Sequence, residues 1–241
     1  MTLHPGGTNI CGISIGVLSL ESYFPKPPGH IKNPSSLPFT TSYEILDGIT
    51  VPELLSNPNG EMKEQIIAAA KRLEAQGVQA ITGSCGFLAL YQAEIAAAVN
   101  VPVFVSSLVQ VQMVHVMTAA PVGILTASAP SLTEAHLKNA GAGGVPVEIG
   151  GMEDSPEFTS VILRNDRTEM DLDKVAAEVI AAGQALIARA PDIGAIVLEC
   201  TDLPPYAHRI QAALSRPVFD LTTLATMVAS CVNRVPYRGF I

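Results

Sequence analysis

The sequence predicts an α/β protein made of two related halves, each with a parallel sheet flanked by helices. Short β-branched apolar runs alternate with longer alanine-rich stretches along the 241 residues, which is typical of parallel strands joined by right-handed helical crossovers. Several of the runs are apolar without alternation, as expected for strands that are covered on both faces. The third observation is an internal repeat, which relates the two halves.

In the first half, Ile13–Leu20 (ISIGVLSL) is a β-branched apolar run and predicts the first strand. Glu61–Gln76 predicts a helix, because Gly77 stands just past its end. The same alternation then predicts a strand at Val78–Thr82, a helix at Phe87–Val99, a strand at Pro102–Val105 and a helix at Leu108–Ala119.

In the second half the apolar runs VGILT and IGAIVL predict strands, and the alanine-rich stretches between them predict helices. The predicted strands are Val122–Thr126, Val145–Ile149, Ile193–Leu198 and Pro217–Phe219, and the predicted helices are Ser131–Asn139, Leu172–Ala190, Leu203–Leu214 and Leu221–Val232.

Two segments break this alternation. Ser22–Thr41 contains five prolines without periodicity and comes directly after the first strand, where a lid would lie. Gly150–Asp171 is also irregular, and most of its charged side chains are expected to face solvent.

The internal repeat appears when the sequence is shifted by 115 residues, so that 80–107 lies over 195–222 without a gap. Chance would give roughly two identities in 28 positions of ordinary composition. Eleven are found: Ala80/Ala195, Ile81/Ile196, Cys85/Cys200, Leu88/Leu203, Tyr91/Tyr206, Ile95/Ile210, Ala97/Ala212, Ala98/Ala213, Pro102/Pro217, Val103/Val218 and Phe104/Phe219. A second, shorter match relates GVLS at 16–19 to GILT at 123–126 at an offset of 107.

The repeat places Cys85 and Cys200 at equivalent strand ends, just before a helix. Ligands of open α/β sheets bind at this edge, and a helix N-terminus there lowers the pKa of a thiol. We therefore expect the two cysteines to face one substrate from opposite sides of a cleft between the halves. Strand-end residues are expected to hold the substrate carboxylate: Ser19, Ser84, Gly86, Thr126 and Thr201. Asp202 either orients a thiol or substrate or caps the next helix, while Glu199 flanks the predicted pocket.

Two opposed thiols suit removal and return of a proton next to a carboxylate, because inversion needs a base on one face and an acid on the other. Donors aimed at the carboxylate must then stabilise the carbanion. The sequence thus predicts a racemase or epimerase of a small acid, with Cys85 and Cys200 as its catalytic residues.

The segments ITGSCGF (81–87) and VLECTDLP (197–204) resemble the two cysteine motifs of the aspartate/glutamate racemase superfamily, which includes hydantoin racemases, maleate isomerases and arylmalonate decarboxylases. The resemblance implies two flavodoxin-like lobes with the active site between them and no cofactor or metal. It assigns Cys85 and Cys200 as the two bases. Gly86 and Phe87 stand where amino-acid racemases of this group have Asn-Thr, and Asp202 replaces a His or Glu. These departures concern the substrate more than the fold.

Composition and charge also indicate which partners, cellular location and metal sites to expect. The net charge of −8 disfavours nucleic acid or an anionic membrane as a partner. No apolar run is long enough to span a bilayer and no basic signal-peptide start is present, so a cytoplasmic location is expected. The four cysteines lack C-x-x-C spacing, which disfavours structural zinc. We expect an N-terminal lobe at 1–119 and a C-terminal lobe at 120–219, with the C-terminal helix at 220–241 packing back on the N-terminal lobe. We also expect a homodimer or larger homo-oligomer.

Three alternatives to the racemase remain open at this stage. One is a lyase, such as a decarboxylase, or a cis–trans isomerase of a small dicarboxylate, in which one cysteine acts alone. Another is a non-catalytic protein that binds a small acid. A dithiol redox role would require the two sulfurs to lie near bonding distance.

Overall fold

The structure is a computed structural model and describes Leu3 and residues 6–240. Within these residues the chain forms two parallel sheets of four strands each. The strands of the first sheet are β1 (Ile15–Glu21), β2 (Thr41–Thr50), β3 (Ala80–Gly83) and β4 (Val103–Phe104). Those of the second are β5 (Val122–Thr126), β6 (Val147–Gly151), β7 (Ala195–Leu198) and β8 (Val218–Phe219).

Helices cover both sheets. They are α1 (Val51–Ser56), α2 (Gly60–Gln76), α3 (Gln92–Ala98), α4 (Val111–Thr118), α5 (Glu134–Asn139), α6 (Pro156–Phe158, continued by a π-helical turn over Thr159–Leu163), α7 (Leu172–Arg189), α8 (Ala207–Leu214) and α9 (Leu221–Val232). Short 3₁₀ turns precede α3, α4 and α8, which accounts for the later start of these helices than predicted.

The two sheets have the same topology and the same register. Their strand orders are β2-β1-β3-β4 and β6-β5-β7-β8. Ile15 pairs with Ala80 in the first sheet, and Val122 pairs with Ala195 in the second. These pairs are related by the offsets of 107 and 115 found in the sequence, so the internal repeat is confirmed as a repeat of structure. The expected α/β fold with two pseudo-symmetric lobes is confirmed with it.

The strand β2 was not predicted. Its sequence, TSYEILDGIT, mixes polar and apolar residues, and most of its side chains are partly or fully exposed because β2 lies at the edge of the sheet. The expectation of an irregular Ser22–Thr41 holds up to this strand, apart from one 3₁₀ turn at Pro34–Ser36.

The segment 150–171 is more ordered than its charges suggested. Arg164, Asp166, Arg167 and Glu169 are exposed, as expected. However, α6 and its π-helical turn bury Phe158, Val161 and Ile162 completely or nearly so. The charges therefore lie at the end of a segment that contributes to the core.

The last helix packs against the first sheet. Leu221, Leu224 and Ala225 of α9 form one buried cluster with Ile15 and Phe104. The lobe boundary between residues 119 and 120 stays a prediction. In the part of the chain that the structure describes, no helix is long and apolar enough to cross a membrane.

Candidate active site

Cys85 and Cys200 occupy equivalent places in the two lobes. β3 ends at Gly83, two residues before Cys85, and β7 ends at Leu198, two residues before Cys200. A 3₁₀ turn begins shortly after each cysteine. Both residues are free cysteines whose exposed fractions are only 8% and 5%. The structure therefore places both cysteines at the carboxyl edge of their sheets, as predicted.

The loops that carry the two cysteines contact each other directly. The hydroxyl of Thr201 donates to the backbone carbonyl of Ser84 over 2.5 Å. A Cβ atom added to Gly86 would lie 2.2 Å from both the backbone oxygen and Oε1 of Glu199, so only glycine fits at that position. The charge of a Cys85 thiolate contributes to the raised pKa of Cys200. The two thiols therefore share one buried cluster rather than separate pockets.

Glu199 is a fully buried carboxyl group between the two loops. Its Oε2 accepts a hydrogen bond from Thr126 over 2.7 Å. Its Oε1 has no hydrogen-bond partner among the described residues. Burial raises the pKa of Glu199 to about 7, although the bond from Thr126 opposes this rise. A large fraction of the Glu199 side chains is thus uncharged at neutral pH.

Asp202 links the second cysteine to the Pro-rich segment. Its Oδ1 lies 2.8 Å from Nε2 of His30, and Sγ of Cys200 donates to its Oδ2 over 3.6 Å. Burial raises the pKa of Asp202, but the hydrogen bond and charge of His30, the charge of Lys26 and the hydrogen bond from Cys200 together outweigh this effect, so that the pKa lies below its usual value. Both carboxylate oxygens are thus engaged by side chains, and of the two roles expected for Asp202 the geometry matches the orientation of a thiol.

The two thiols have different electrostatic surroundings. Burial raises the pKa of both. For Cys200 the next contributions are the negative charges of Asp202 and Glu199, which raise it further. For Cys85 the charges of Glu199 and Asp202 also raise the pKa. A backbone N–H lowers the pKa of each thiol, that of Phe87 at Cys85 and that of Asp202 at Cys200, but the ammonium of Lys32 lowers the pKa of Cys85 alone. The Lys32 ammonium therefore favours the thiolate at Cys85, whereas the thiol of Cys200 donates its proton to Asp202.

Two lysines of the Pro-rich segment lie near this cluster, and the sequence reasoning missed both. Burial lowers the pKa of Lys32, and it lowers that of Lys26 to about 8. The charge of Asp202 acts on both lysines and partly offsets the lowering. No periodicity or motif marks them in the sequence, because an irregular segment reaches the site only through the tertiary fold.

The hydroxyl groups predicted to hold the substrate largely bind the protein itself. Thr126 donates to Glu199, and Thr201 donates to Ser84. The hydroxyl of Ser84 accepts from the backbone N–H of Leu20 over 2.9 Å, and that of Ser19 lies 3.5 Å from the Leu20 carbonyl. These residues therefore shape the two loops, and their part in substrate binding stays a prediction. Within the described residues, no group of three or more His, Cys, Asp or Glu side chains is arranged to hold a metal ion.

Comparison with known proteins shows two kinds of relative. The family profile of Asp/Glu/Hydantoin racemase matches residues 111–229. Dimethylsulfoniopropionate lyase 7 of Emiliania huxleyi (strain CCMP1516) is 34% identical over 238 residues, which are 94% of this chain and 69% of that protein. Dimethylsulfoniopropionate lyase 5 of the same strain is 32% identical, but the match covers 94% of this chain and 47% of the relative. The chain thus spans about half the length of that relative.

Among solved structures, an aspartate racemase homologue from Pyrococcus horikoshii OT3 superposes with a TM-score of 0.58. It is 21% identical, and the match covers 90% of this chain and 99% of that one. The structural similarity shows the fold alone, whereas the family profile and the similarity to the lyases in sequence show the family. The chain belongs to the Asp/Glu/hydantoin racemase family.

Proposed function

We propose that this chain is a lyase that removes a proton from the carbon next to a carboxylate and expels a leaving group from the neighbouring carbon. The observation that carries the proposal is the unequal environment of the two thiols. Racemisation requires each thiol to act as thiolate in one direction and as thiol in the other. Elimination requires a single base, and Cys85 is the thiol whose ionisation the Lys32 ammonium favours, whereas the Cys200 thiol is hydrogen-bonded to Asp202.

The substrate that fits best is dimethylsulfoniopropionate, because relatives 32% and 34% identical carry the name of a lyase for it. The thiolate of Cys85 takes the proton from the carbon next to the carboxylate. That electron pair forms a carbon–carbon double bond, and the bond from the neighbouring carbon to sulfur breaks with both electrons moving to sulfur. The products are acrylate and dimethyl sulfide, and the proton leaves from Cys85 to solvent.

The charge of the substrate supports this direction of reaction. A sulfonium cation in a buried site favours the thiolate, since an opposite charge nearby lowers the pKa of a thiol. Cys200, hydrogen-bonded to Asp202, is placed to remain a neutral thiol and donate a hydrogen bond. Acid–base catalysis by one positioned group contributes about 10²–10⁴-fold to a rate.

The racemase predicted from the sequence is the second candidate. It is favoured by the equivalence of the two cysteines in the repeat and by the match to the racemase family. Both candidates begin with proton removal next to a carboxylate. They differ in the fate of the carbanion, which is reprotonated by a racemase and expels a leaving group in a lyase.

The deciding experiment supplies dimethylsulfoniopropionate to the purified chain and measures dimethyl sulfide by gas chromatography and acrylate by NMR. We expect Cys85→Ser to lower the rate at least about 100-fold, while Cys231→Ser, at an exposed cysteine, leaves it unchanged. Release of dimethyl sulfide that survives Cys85→Ser contradicts the proposed base. In D₂O, exchange at the α-carbon of chiral acids without elimination, dependent on both thiols, would support the racemase instead.

A further inference from the structure

We propose that Lys32 of the Pro-rich segment binds the carboxylate of the substrate and makes the site selective for carboxylic acids. This inference deepens the proposed function and rests on it in one respect, which is that the substrate carries a carboxylate. It assigns a binding role to a residue of a segment that lies outside both cysteine motifs.

The first support is the position of the Lys32 ammonium. Its Nζ donates to the backbone carbonyl of Leu20 over 2.7 Å and to the hydroxyl of Ser22 over 2.9 Å. Leu20 lies in β1, and its N–H donates to Ser84 in the loop of Cys85. An ammonium group has three N–H donors, so one remains after these two bonds. The side chain is half-buried and held at the same edge of the sheet as the first cysteine.

The second support is that two of the hydroxyl protons expected to hold a carboxylate are already in use. Those of Thr126 and Thr201 are donated to Glu199 and to Ser84. A carboxylate near the thiols therefore has fewer hydroxyl donors than the sequence predicted and is bound more strongly by a further donor. A cation is the strongest choice, because hydrogen bonds between two charged groups are about twice as strong as neutral ones.

The third support is the charge distribution around the thiols. Lys32 interacts electrostatically with Cys85, Asp202 and Glu21, and Lys26 lies close enough to oppose its charge. Asp202 is a buried carboxylate opposite these two lysines, and Glu199, whose pKa is about 7, carries less than a full negative charge at neutral pH. Glu21 also acts on Lys32 but is only partly buried, so a substrate carboxylate adds a negative charge beside the two lysines within the site. Burial of a charge is tolerated when it is paired in this way.

The segment is fixed at both lobes, so Lys32 is presented in a defined position. His30 is paired with Asp202, and the hydroxyl of Thr222 donates to the carbonyl of Gly29 over 2.7 Å. Gly29 also lies against the backbone of Pro205, where a Cβ atom would approach within 3.4 Å. Lys32 comes two residues after this anchored stretch, which limits the conformational freedom lost when it binds a ligand.

The test measures binding without turnover, so it stands apart from the fate of the lyase proposal. The probes are 3-(methylthio)propionate, which has a carboxylate and a neutral sulfur, and its amide, which lacks the charge. We expect the wild-type chain to bind the acid about 10- to 100-fold more tightly than the amide. Lys32→Gln should abolish this preference, Lys32→Arg should restore part of it, and Lys71→Gln on the exposed face of α2 should leave it unchanged.

Two results would overturn the inference. One is equal binding of the acid and the amide by the wild-type chain. This comparison uses no variant, so it can refute the inference even if Lys32→Gln fails to fold. The other is a folded Lys32→Gln protein that keeps the preference for the acid. A lyase proposal that failed would instead show as absent dimethyl sulfide, with the preference for the acid intact.

Discussion

Replacing Glu199 by glutamine tests the buried carboxyl group at the centre of the site. Glutamine has nearly the same shape and cannot ionise, and its carbonyl oxygen can accept the hydrogen bond from Thr126. Burial raises the pKa of Glu199 from an ordinary value of 4.5 to about 7. The folded wild-type protein therefore holds a proton that the unfolded chain releases between these two pH values.

The sign comes from proton binding. Between pH 4.5 and about 7 the folded state binds more protons than the unfolded state, so the free energy of unfolding of the wild type falls as pH rises. This contribution is fully present below pH 4.5 and is lost above about pH 7. At about 1.4 kcal/mol for each unit of pKa difference, the wild type loses about 3 kcal/mol across the window, and Glu199→Gln does not.

The assay is urea unfolding of wild type and Glu199→Gln at pH 4, 5, 6, 7 and 8. Other titrating groups are present in both proteins, so their contributions cancel in the difference. We expect the variant to gain about 3 kcal/mol relative to wild type from pH 4 to pH 8. Glu64→Gln, at an exposed glutamate of α2, is the matched control and should show a flat difference. A flat difference for Glu199→Gln as well would refute the buried, proton-holding carboxyl group.

Two further predictions concern contacts that hold the site together. Gly86→Ala places a methyl group 2.2 Å from Glu199, and we expect urea unfolding to show a loss of about 1–3 kcal/mol or more in unfolding free energy. Gly143→Ala is the control and should be neutral in the same assay, because its Cβ would meet nothing closer than 3.4 Å. His30→Ala removes the hydrogen-bond partner of the buried Asp202 carboxylate. We expect a loss of about 3–5 kcal/mol in unfolding free energy and faster proteolysis of residues 22–40. Unchanged proteolysis would show that this pair does not hold the segment.

The sequence by itself determined most strands, the longer helices and the equivalence of the two cysteines, but it did not predict β2, α1 or α6. Parallel strands covered on both faces need continuous apolar runs, so seven of the eight strands in the described residues can be identified from such runs in the sequence. The repeat then located Cys85 and Cys200, because a duplicated chain places equivalent residues at equivalent strand ends. The edge strand β2 lacked this signal, since its exposed side chains are free to be polar.

Only the tertiary structure decided the surroundings of the thiols. His30 and Asp202 are separated by 172 residues in the chain and yet lie 2.8 Å apart. The positions of Lys32 and Glu199 likewise depend on how an irregular segment and two strand ends meet. Local sequence preferences report on backbone conformation and burial, whereas the pKa of a thiol depends on charges that folding brings together from distant parts of the chain. The sequence could therefore locate the two cysteines, but the difference between them is a property of the folded molecule.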